Sequence, residues 1–368
     1  MDFYHNRRTQ LLRGGKADEV DAYLVTHRPN VRYLTGLDVA EALLVTAKGT
    51  YVVCGEEVVP PKKELGELTP VPRADGAGVD LAAAEAVQTA GAKAVGVEAD
   101  HLSVAAFQRL TGAVGKAGVK PLGGRVEGLR ATKDPSEVEV IRRGLKVADR
   151  ASLMFRAVLR EVDTERDLCR QLDQLLVRAG ANDPAFPSQV ALGENGGDPF
   201  FRPSDDKPMA EASKLHALWG AEVGYCGVIA RTFRSPFGAP PLRKNKHERT
   251  AHDYDKVGAA VRAALRAALD AIQPEATLGD LAAAAHAPLA AAGYDKFAAP
   301  KVAFGVGLEP REGPYVRPGD KSPLLPGMVL TVAPQVRIPA WGRMQYSTTV
   351  VVNREGYTEL GGAPGADD

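Results

Sequence analysis

The stretch Leu129-Arg-Ala-Thr-Lys-Asp-Pro-Ser-Glu-Val-Glu139 divides the chain into two parts of different character. Pro135 suits the first turn of a helix, and Ser136 with Glu139 three residues later has the pattern of a capping box. The stretch therefore predicts the start of a long helix and a domain boundary near Arg130. We predict a first domain over residues 1–130 and a second domain over residues 131–368.

The part before this boundary alternates short apolar runs with helical patterns. The runs at 22–25, 43–45 and 51–54 predict strands, and the patterns over 79–90 and 103–114 predict helices. This alternation is typical of an α/β layer domain.

The part after the boundary places pairs of helices before groups of strands. Thr164 with Asp167 predicts the N-terminus of a second helix. The first helix is predicted to end at about Leu159, and two further helices are predicted over 249–271 and 277–292. The predicted strands lie at 189–192, 215–219, 227–233, 328–332 and 347–352. The order of helix pair, strands, helix pair and strands is a pseudo-repeat.

Composition limits the compartment and the kinds of partner. With 368 residues, 45% of them hydrophobic and 25% charged, the chain is long enough for two domains with their own cores. The 46 basic residues balance the 46 acidic residues, so no overall positive field attracts nucleic acid or a membrane. Three cysteines without CxxC spacing, and no apolar run of membrane-spanning or signal-peptide type, predict a cytoplasmic protein with reduced thiols.

Several separated blocks resemble the prolidase and aminopeptidase P family of pita-bread metallopeptidases. In the order of that family, they are Asn30-Val-Arg-Tyr-Leu-Thr-Gly36, Val97 to Ser103, Phe186 to Val190, Phe201-Arg-Pro-Ser-Asp205, Trp219 to Glu222, Arg231-Thr-Phe233, Ala303-Phe-Gly-Val-Gly-Leu308 and Pro326-Gly-Met-Val329. The resemblance implies an α+β fold with a C-terminal pita-bread (creatinase/aminopeptidase) domain after a smaller creatinase-like α/β domain. It also implies a homodimer.

The same resemblance implies chemistry that these residues do not supply. Family members use two divalent ions that share a water, held by two aspartates, one histidine and two glutamates, with two histidines and an arginine nearby. The five ligand positions fall on Leu218, Val228, Phe304, Ala333 and Ser347, which we call the matched positions, and the accessory positions fall on Phe200, Arg311 and Gln345. Because most of these side chains are apolar, we expect no metal, no cofactor and a former cleft refilled with apolar volume.

Three functions are compatible with these substitutions. The first is a non-catalytic pseudoenzyme that acts as a binding or regulatory protein, or as the dimer partner of an active relative. The second is an active Xaa-Pro dipeptidase or aminopeptidase, which would need a dinuclear metal site. The third is metal-free hydrolysis in the style of creatinase, for which the resemblance requires a histidine at Phe200 and acids at Ala333 and Ser347.

A new ligand in the former cleft is expected to be a peptide or a small anion. The resemblance places arginines around the cleft, where guanidinium groups could receive a carboxylate or a phosphate. The candidate residues are Arg202, Arg231, Arg311, Gln335, Gln345, Tyr346, Ser347 and Thr348. The alternative is that the arginines pair with Glu309 and Glu312.

Three other patterns favour ordinary structural roles. His247-Glu-Arg-Thr-Ala-His252 resembles a zincin motif, but its histidines are five residues apart, whereas the motif needs them four apart on one helix face. The basic run Arg243-Lys-Asn-Lys-His247 is typical of a solvated loop. Cys226 has no evident base beside it, which favours a buried strand thiol over a nucleophile.

Overall fold

The computed structural model of the chain describes residues 3–237 and 253–365. The chain forms two compact units, Met1–Arg130 and Ala131–Asp368. The zincin-like pattern ending at His252 and the basic run that begins at Arg243 lie outside the described residues. None of the helices in the described ranges has the length and apolar character that a bilayer crossing requires.

The N-terminal unit is built on one six-stranded sheet. Its strands are β1 (Ala22–Val25), β2 (Ala42–Thr46), β3 (Gly49–Gly55), β4 (Leu68–Arg73), β5 (Ala94–Glu98) and β6 (Gly118–Leu122). Its helices are α1 (Phe3–Arg13), α2 (Gly15–Asp18), α3 (Arg28–Thr35), α4 (Lys62–Leu65), α5 (Val79–Ala90), α6 (Val104–Ala113) and α7 (Arg125–Arg130). The strand order is β4-β3-β2-β1-β5-β6, and every residue of β1 and β2 is buried, as expected of strands covered on both faces. The predicted α/β layer domain is confirmed.

The C-terminal unit repeats a pair of helices and a sheet. Its helices are α8 (Pro135–Val158), α9 (Glu165–Ala179), α10 (Tyr254–Asp270) and α11 (Leu278–Ala291). Its strands are β7 (Asp183–Pro184), β8 (Gln189–Leu192), β9 (Lys214–Glu222), β10 (Cys226–Arg234), β11 (Ala303–Gly305), β12 (Glu312–Val316), β13 (Val329–Val332), β14 (Gln335–Ile338), β15 (Gly342–Gln345), β16 (Thr348–Asn353) and β17 (Gly356–Gly361).

Each pair of helices covers one sheet of this unit. Helices α8 and α9 share a buried apolar cluster with the sheet β10-β9-β7, in which β8 also pairs with β9. Helices α10 and α11 share a second cluster with the five-stranded sheet β12-β11-β13-β16-β17. Strands β14 and β15 pair only with each other in the described sheets, and we call them the ribbon. The predicted α+β fold with a C-terminal pita-bread domain is confirmed.

The N-terminus of α8 corrects one prediction. The N-cap is Asp134, whose carboxylate accepts hydrogen bonds from the backbone N–H groups of Ser136 (2.8 Å) and Glu137 (3.0 Å), and Glu137 completes the capping box. The predicted Ser136 and Glu139 box was wrong by two residues. Pro135 occupies the first helical position and disfavours the helical conformation in the residue before it, so that residue becomes the cap. The predicted cap at Thr164 with Asp167 is confirmed.

Candidate functional site

The hairpin of β9 and β10 presents two of the matched positions on one face. Leu218 pairs with Ala230 and Val228 pairs with Gly220, and paired residues of antiparallel strands share a face. The opposite face is fixed beneath α8, because Trp219 donates its indole N–H to the backbone carbonyl of Ala148 at 3.0 Å. Leu218 and Val228 therefore point away from α8.

Two further matched positions, Phe304 and Ser347, reach the same place from the C-terminal half of the unit. Phe304 packs against the buried cluster that contains Leu218 and Val228. The Ser347 hydroxyl oxygen lies 2.9 Å from the backbone nitrogen of Ala230, whose N–H donates to it. Positions that are far apart in the sequence thus meet in one place, as the resemblance implies for ligand positions.

A buried polar chain runs beside this cluster. His216, two residues before Leu218 on the same face, has its Nε2 atom 2.9 Å from the Gln345 Oε1 atom. The Gln345 side-chain amide also donates to the Ala333 carbonyl at 3.1 Å, and the Gln345 backbone N–H donates to the Thr232 hydroxyl at 3.1 Å. Because an amide oxygen only accepts, the His216 proton is assigned to Nε2. The side chains of His216 and Gln345 therefore connect β9 to β15 of the ribbon.

The imidazole of His216 is neutral at pH 7. Burial holds the pKa of His216 well below its usual value, and the positive charge of Arg343 lowers the pKa further. A buried neutral histidine can accept a proton more readily after unfolding, so the unfolded chain binds more protons below about pH 6.5. Stability should consequently fall as the pH falls through this range.

This linkage predicts the behaviour of a His216→Gln variant. The wild-type free energy of unfolding should decrease by up to about 1.4 kcal/mol per pH unit below about pH 6.5 because of this one group. The variant should lose that part of the pH dependence. Urea unfolding at about pH 5 and about pH 7.5 tests the expectation, with the exposed His5→Gln variant as control. An unchanged slope in His216→Gln would contradict it.

The donor set does not fit a dinuclear metal centre. Among residues 3–237 and 253–365, no three His, Cys, Asp or Glu side chains are grouped so that they could hold a metal ion. Leu218, Val228, Phe304 and Ala333 offer no ligand atom, and the Ser347 hydroxyl already accepts the hydrogen bond from Ala230. The matched positions have the chemistry of a protein core.

Several residues expected to receive a ligand are instead bonded within the protein. Arg231 donates to the carbonyls of Gly362 (3.2 Å) and Ala363 (2.7 Å), and the Tyr346 hydroxyl accepts from Arg262 at 3.0 Å. Ser347 and Gln345 have the internal partners given above. Thr348 is buried in β16. Arg231, Tyr346, Ser347 and Gln345 therefore contribute hydrogen bonds to the fold, and Thr348 contributes a buried side chain.

Two further expectations about the cleft need correction. Phe200 does not refill it, because this side chain is 86% exposed on an irregular segment after β8. The Glu312 carboxylate, expected beside the arginines, lies 2.7 Å from the Lys133 ammonium group. Arg202 is exposed near Phe200. Of the expected residues, Arg202, Arg311 and Gln335 keep polar atoms that could meet a ligand.

The ribbon contributes two arginines that the sequence analysis missed. Gln335, Arg337, Arg343 and Gln345 share one face of the ribbon, whereas Val336, Ile338 and Met344 on the other face join the second core cluster. The alternation of polar and apolar residues over 335–338 and 342–345 is the period of two that would have predicted both strands. Burial, together with the nearby charges of Arg337 and Arg311, lowers the pKa of Arg343 to about 10, so the group stays charged at pH 7.

Comparison with known proteins identifies the family of the chain. The sequence model of metallopeptidase family M24 matches residues 139–354. The sequence model of the creatinase/prolidase N-terminal domain matches residues 7–132. The chain belongs to family M24. The uncharacterized peptidase YqhT of Bacillus subtilis is 25% identical to this M24 chain over 349 residues, or 94% of each protein. An uncharacterized peptidase of Staphylococcus aureus (strain MRSA252) is 25% identical over 264 residues, or 72% of each.

Solved structures show the same fold. An Xaa-Pro dipeptidase from Bacillus anthracis superposes on the M24 chain with a TM-score of 0.86 and 22% identity, and the match covers 98% of both chains. The prolidase from Pyrococcus horikoshii OT3 superposes with a TM-score of 0.83 and 22% identity, over 99% of this chain and all of that chain. The family and the fold expected from the resemblance are confirmed.

Proposed function

We propose that this M24 chain is a non-catalytic member of its family that uses the former cleft for binding. The observation that carries the proposal is the buried apolar cluster at the matched positions. Leu218 is 7% exposed and Val228 is 1% exposed, and the partly buried Phe304 packs against the cluster that contains them. Apolar packing at these positions is stable without an ion, whereas a group of carboxylates there would be costly to bury.

The remaining reactive groups of the site also lack the arrangement for hydrolysis. Covalent catalysis needs a nucleophile within hydrogen-bonding reach of a base. The Ser347 hydroxyl meets a backbone N–H of Ala230, and the buried Cys226 thiol lies 3.7 Å from the Leu308 carbonyl oxygen. The neutral His216 is bonded to Gln345. None of these contacts places a base beside a nucleophile.

The test is metal content combined with peptide hydrolysis. We expect that the full chain, equilibrated with Mn²⁺, Co²⁺ or Zn²⁺ and then freed of loosely bound ions, retains no stoichiometric metal. Cleavage of Xaa-Pro dipeptides should stay at the rate of the buffer blank, with an active Xaa-Pro dipeptidase assayed in parallel. Two retained ions per chain with Xaa-Pro cleavage would establish the active dipeptidase instead. Creatine hydrolysis that survives a chelator would establish the creatinase-like alternative.

The cellular context is part of the same proposal. We place the protein in the cytoplasm, since its cysteines Cys54, Cys169 and Cys226 are buried free thiols. The homodimer, and the peptide or small anion as ligand, remain predictions from the resemblance. The balanced charge of the chain gives no support to nucleic acid as a partner.

A further inference from the structure

The ribbon carries two like charges in direct opposition. Arg337 and Arg343 are paired residues of β14 and β15, so their side chains leave the same face. The Cβ atoms of such pairs are about 4.5–5.5 Å apart, and like charges in this position destabilise a sheet. Both side chains are partly buried. The pair is therefore an arrangement that needs a compensating interaction.

A third arginine adds to this charge. The Arg311 guanidinium lies over the Phe304 ring, with its central carbon 5.0 Å from the ring centroid, a cation–π contact that holds the group in place. Burial and the charge of Arg311 both lower the pKa of Arg337, and Arg311 acts in the same sense on Arg343. We call Arg311, Arg337 and Arg343 the arginine cluster.

No acid in the described part of the chain balances the arginine cluster. No carboxylate oxygen of these residues lies within 4.0 Å of the three guanidinium groups, and the nearby Glu312 carboxylate is occupied by Lys133. The Nε atom of Arg337, a donor, is buried without a hydrogen-bond partner in the described structure. Burying such a group without a hydrogen-bond partner reduces the free energy of unfolding, so a bound ligand that supplies the partner would be stabilising.

We propose that the arginine cluster binds a small dianion, of the chemistry shared by phosphate monoesters and dicarboxylates. Guanidinium groups bind such anions through paired N–H donors. Arg343 uses its Nε–H on the Gly196 carbonyl at 3.2 Å, which orients the side chain and leaves its terminal amino groups as donors. A dianion between Arg337 and Arg343 would remove their mutual repulsion and give the Arg337 Nε–H a partner.

The inference rests on the proposed function of the same cleft. Two divalent cations at the matched positions would add positive charge beside three arginines, whereas an apolar, metal-free surface allows the arginines to take an anion. The two proposals remain separable by experiment. Metal content and hydrolysis test the first, and equilibrium anion binding tests the second.

Isothermal titration calorimetry of the full chain with inorganic phosphate, and separately with succinate, tests the anion site. The wild type should bind at least one probe with a stoichiometry of about one. Replacing both ribbon arginines (Arg337→Gln with Arg343→Gln) should weaken this binding about a hundredfold, since two charge-assisted contacts are lost. The matched control, Arg317→Gln with Arg354→Gln, removes the same charge from exposed positions and should leave the affinity within about twofold.

The pattern of binding identifies the chemical class of the anion and can contradict the proposed site. Binding of phosphate alone indicates a phosphate monoester, and binding of succinate alone indicates a dicarboxylate. Failure of the wild type to bind either probe, or equal binding by the double variant and the wild type, overturns the proposal. If the double variant does not fold, the single variants Arg337→Gln and Arg311→Gln provide the same comparison, because each removes one donor group.

Discussion

Replacing Lys133 by methionine should lower the free energy of unfolding of the C-terminal unit by about 3–5 kcal/mol. The Lys133 ammonium nitrogen lies 2.7 Å from a Glu312 carboxylate oxygen, and the two side chains are only 1% and 6% exposed. Without the lysine, the Glu312 charge stays buried and loses its contact with the Lys133 ammonium group. Breaking a buried pair from one side is costly for this reason, even where the intact pair adds little net stability.

Urea unfolding followed by tryptophan fluorescence measures this effect within one unit. Both tryptophans of the chain, Trp219 and Trp341, lie in the C-terminal unit. The double variant Lys133→Met with Glu312→Gln removes both charges and should recover most of the loss. The exposed pair Arg234 and Asp255 provides the matched control, and Arg234→Met should cost less than about 1 kcal/mol. Equal losses in Lys133→Met and Arg234→Met would contradict the expected cost of the buried pair.

The second large effect is expected when a carboxylate is returned to a matched position. Val228→Asp should destabilise the C-terminal unit by several kcal/mol, because Val228 is 1% exposed in the apolar cluster beneath the former cleft. The control Val228→Ala loses apolar volume without adding charge and should cost about 2 kcal/mol. The difference between the variants measures the cost of burying the charge.

The pH dependence of Val228→Asp separates charge from shape. Burial should raise the pKa of the introduced carboxyl above the value near 3.9 that it has when unfolded. The folded state then binds more protons than the unfolded state between these two pKa values, so the stability of the variant falls as the pH rises through that interval. The Val228→Ala control should lack this trend. Recovery of Val228→Asp on addition of Mn²⁺ would show that the cleft can still hold a metal, against the proposed function.

Local patterns were sufficient for most of the secondary structure. The helix over Val79–Ala90 and the cap at Thr164 were predicted from the sequence, since spacing and cap chemistry act over a few residues. The ribbon was missed because continuous apolar runs guided most strand predictions, whereas its two strands alternate polar and apolar residues over four positions each. The missed strands are the ones that carry Arg337 and Arg343.

Residue identity and order alone were enough to establish the family and the order of its two kinds of domain, and to predict the loss of ligand atoms at the matched positions. Tertiary contacts were needed to decide which polar side chains remain open to a ligand. Arg231 is occupied by carbonyls more than a hundred residues away, and Ser347 by Ala230 on a strand of the other sheet. Hydrogen-bond partners so distant along the chain leave no local pattern, and the opposition of Arg337 and Arg343 depends on the register of strands that only folding brings together.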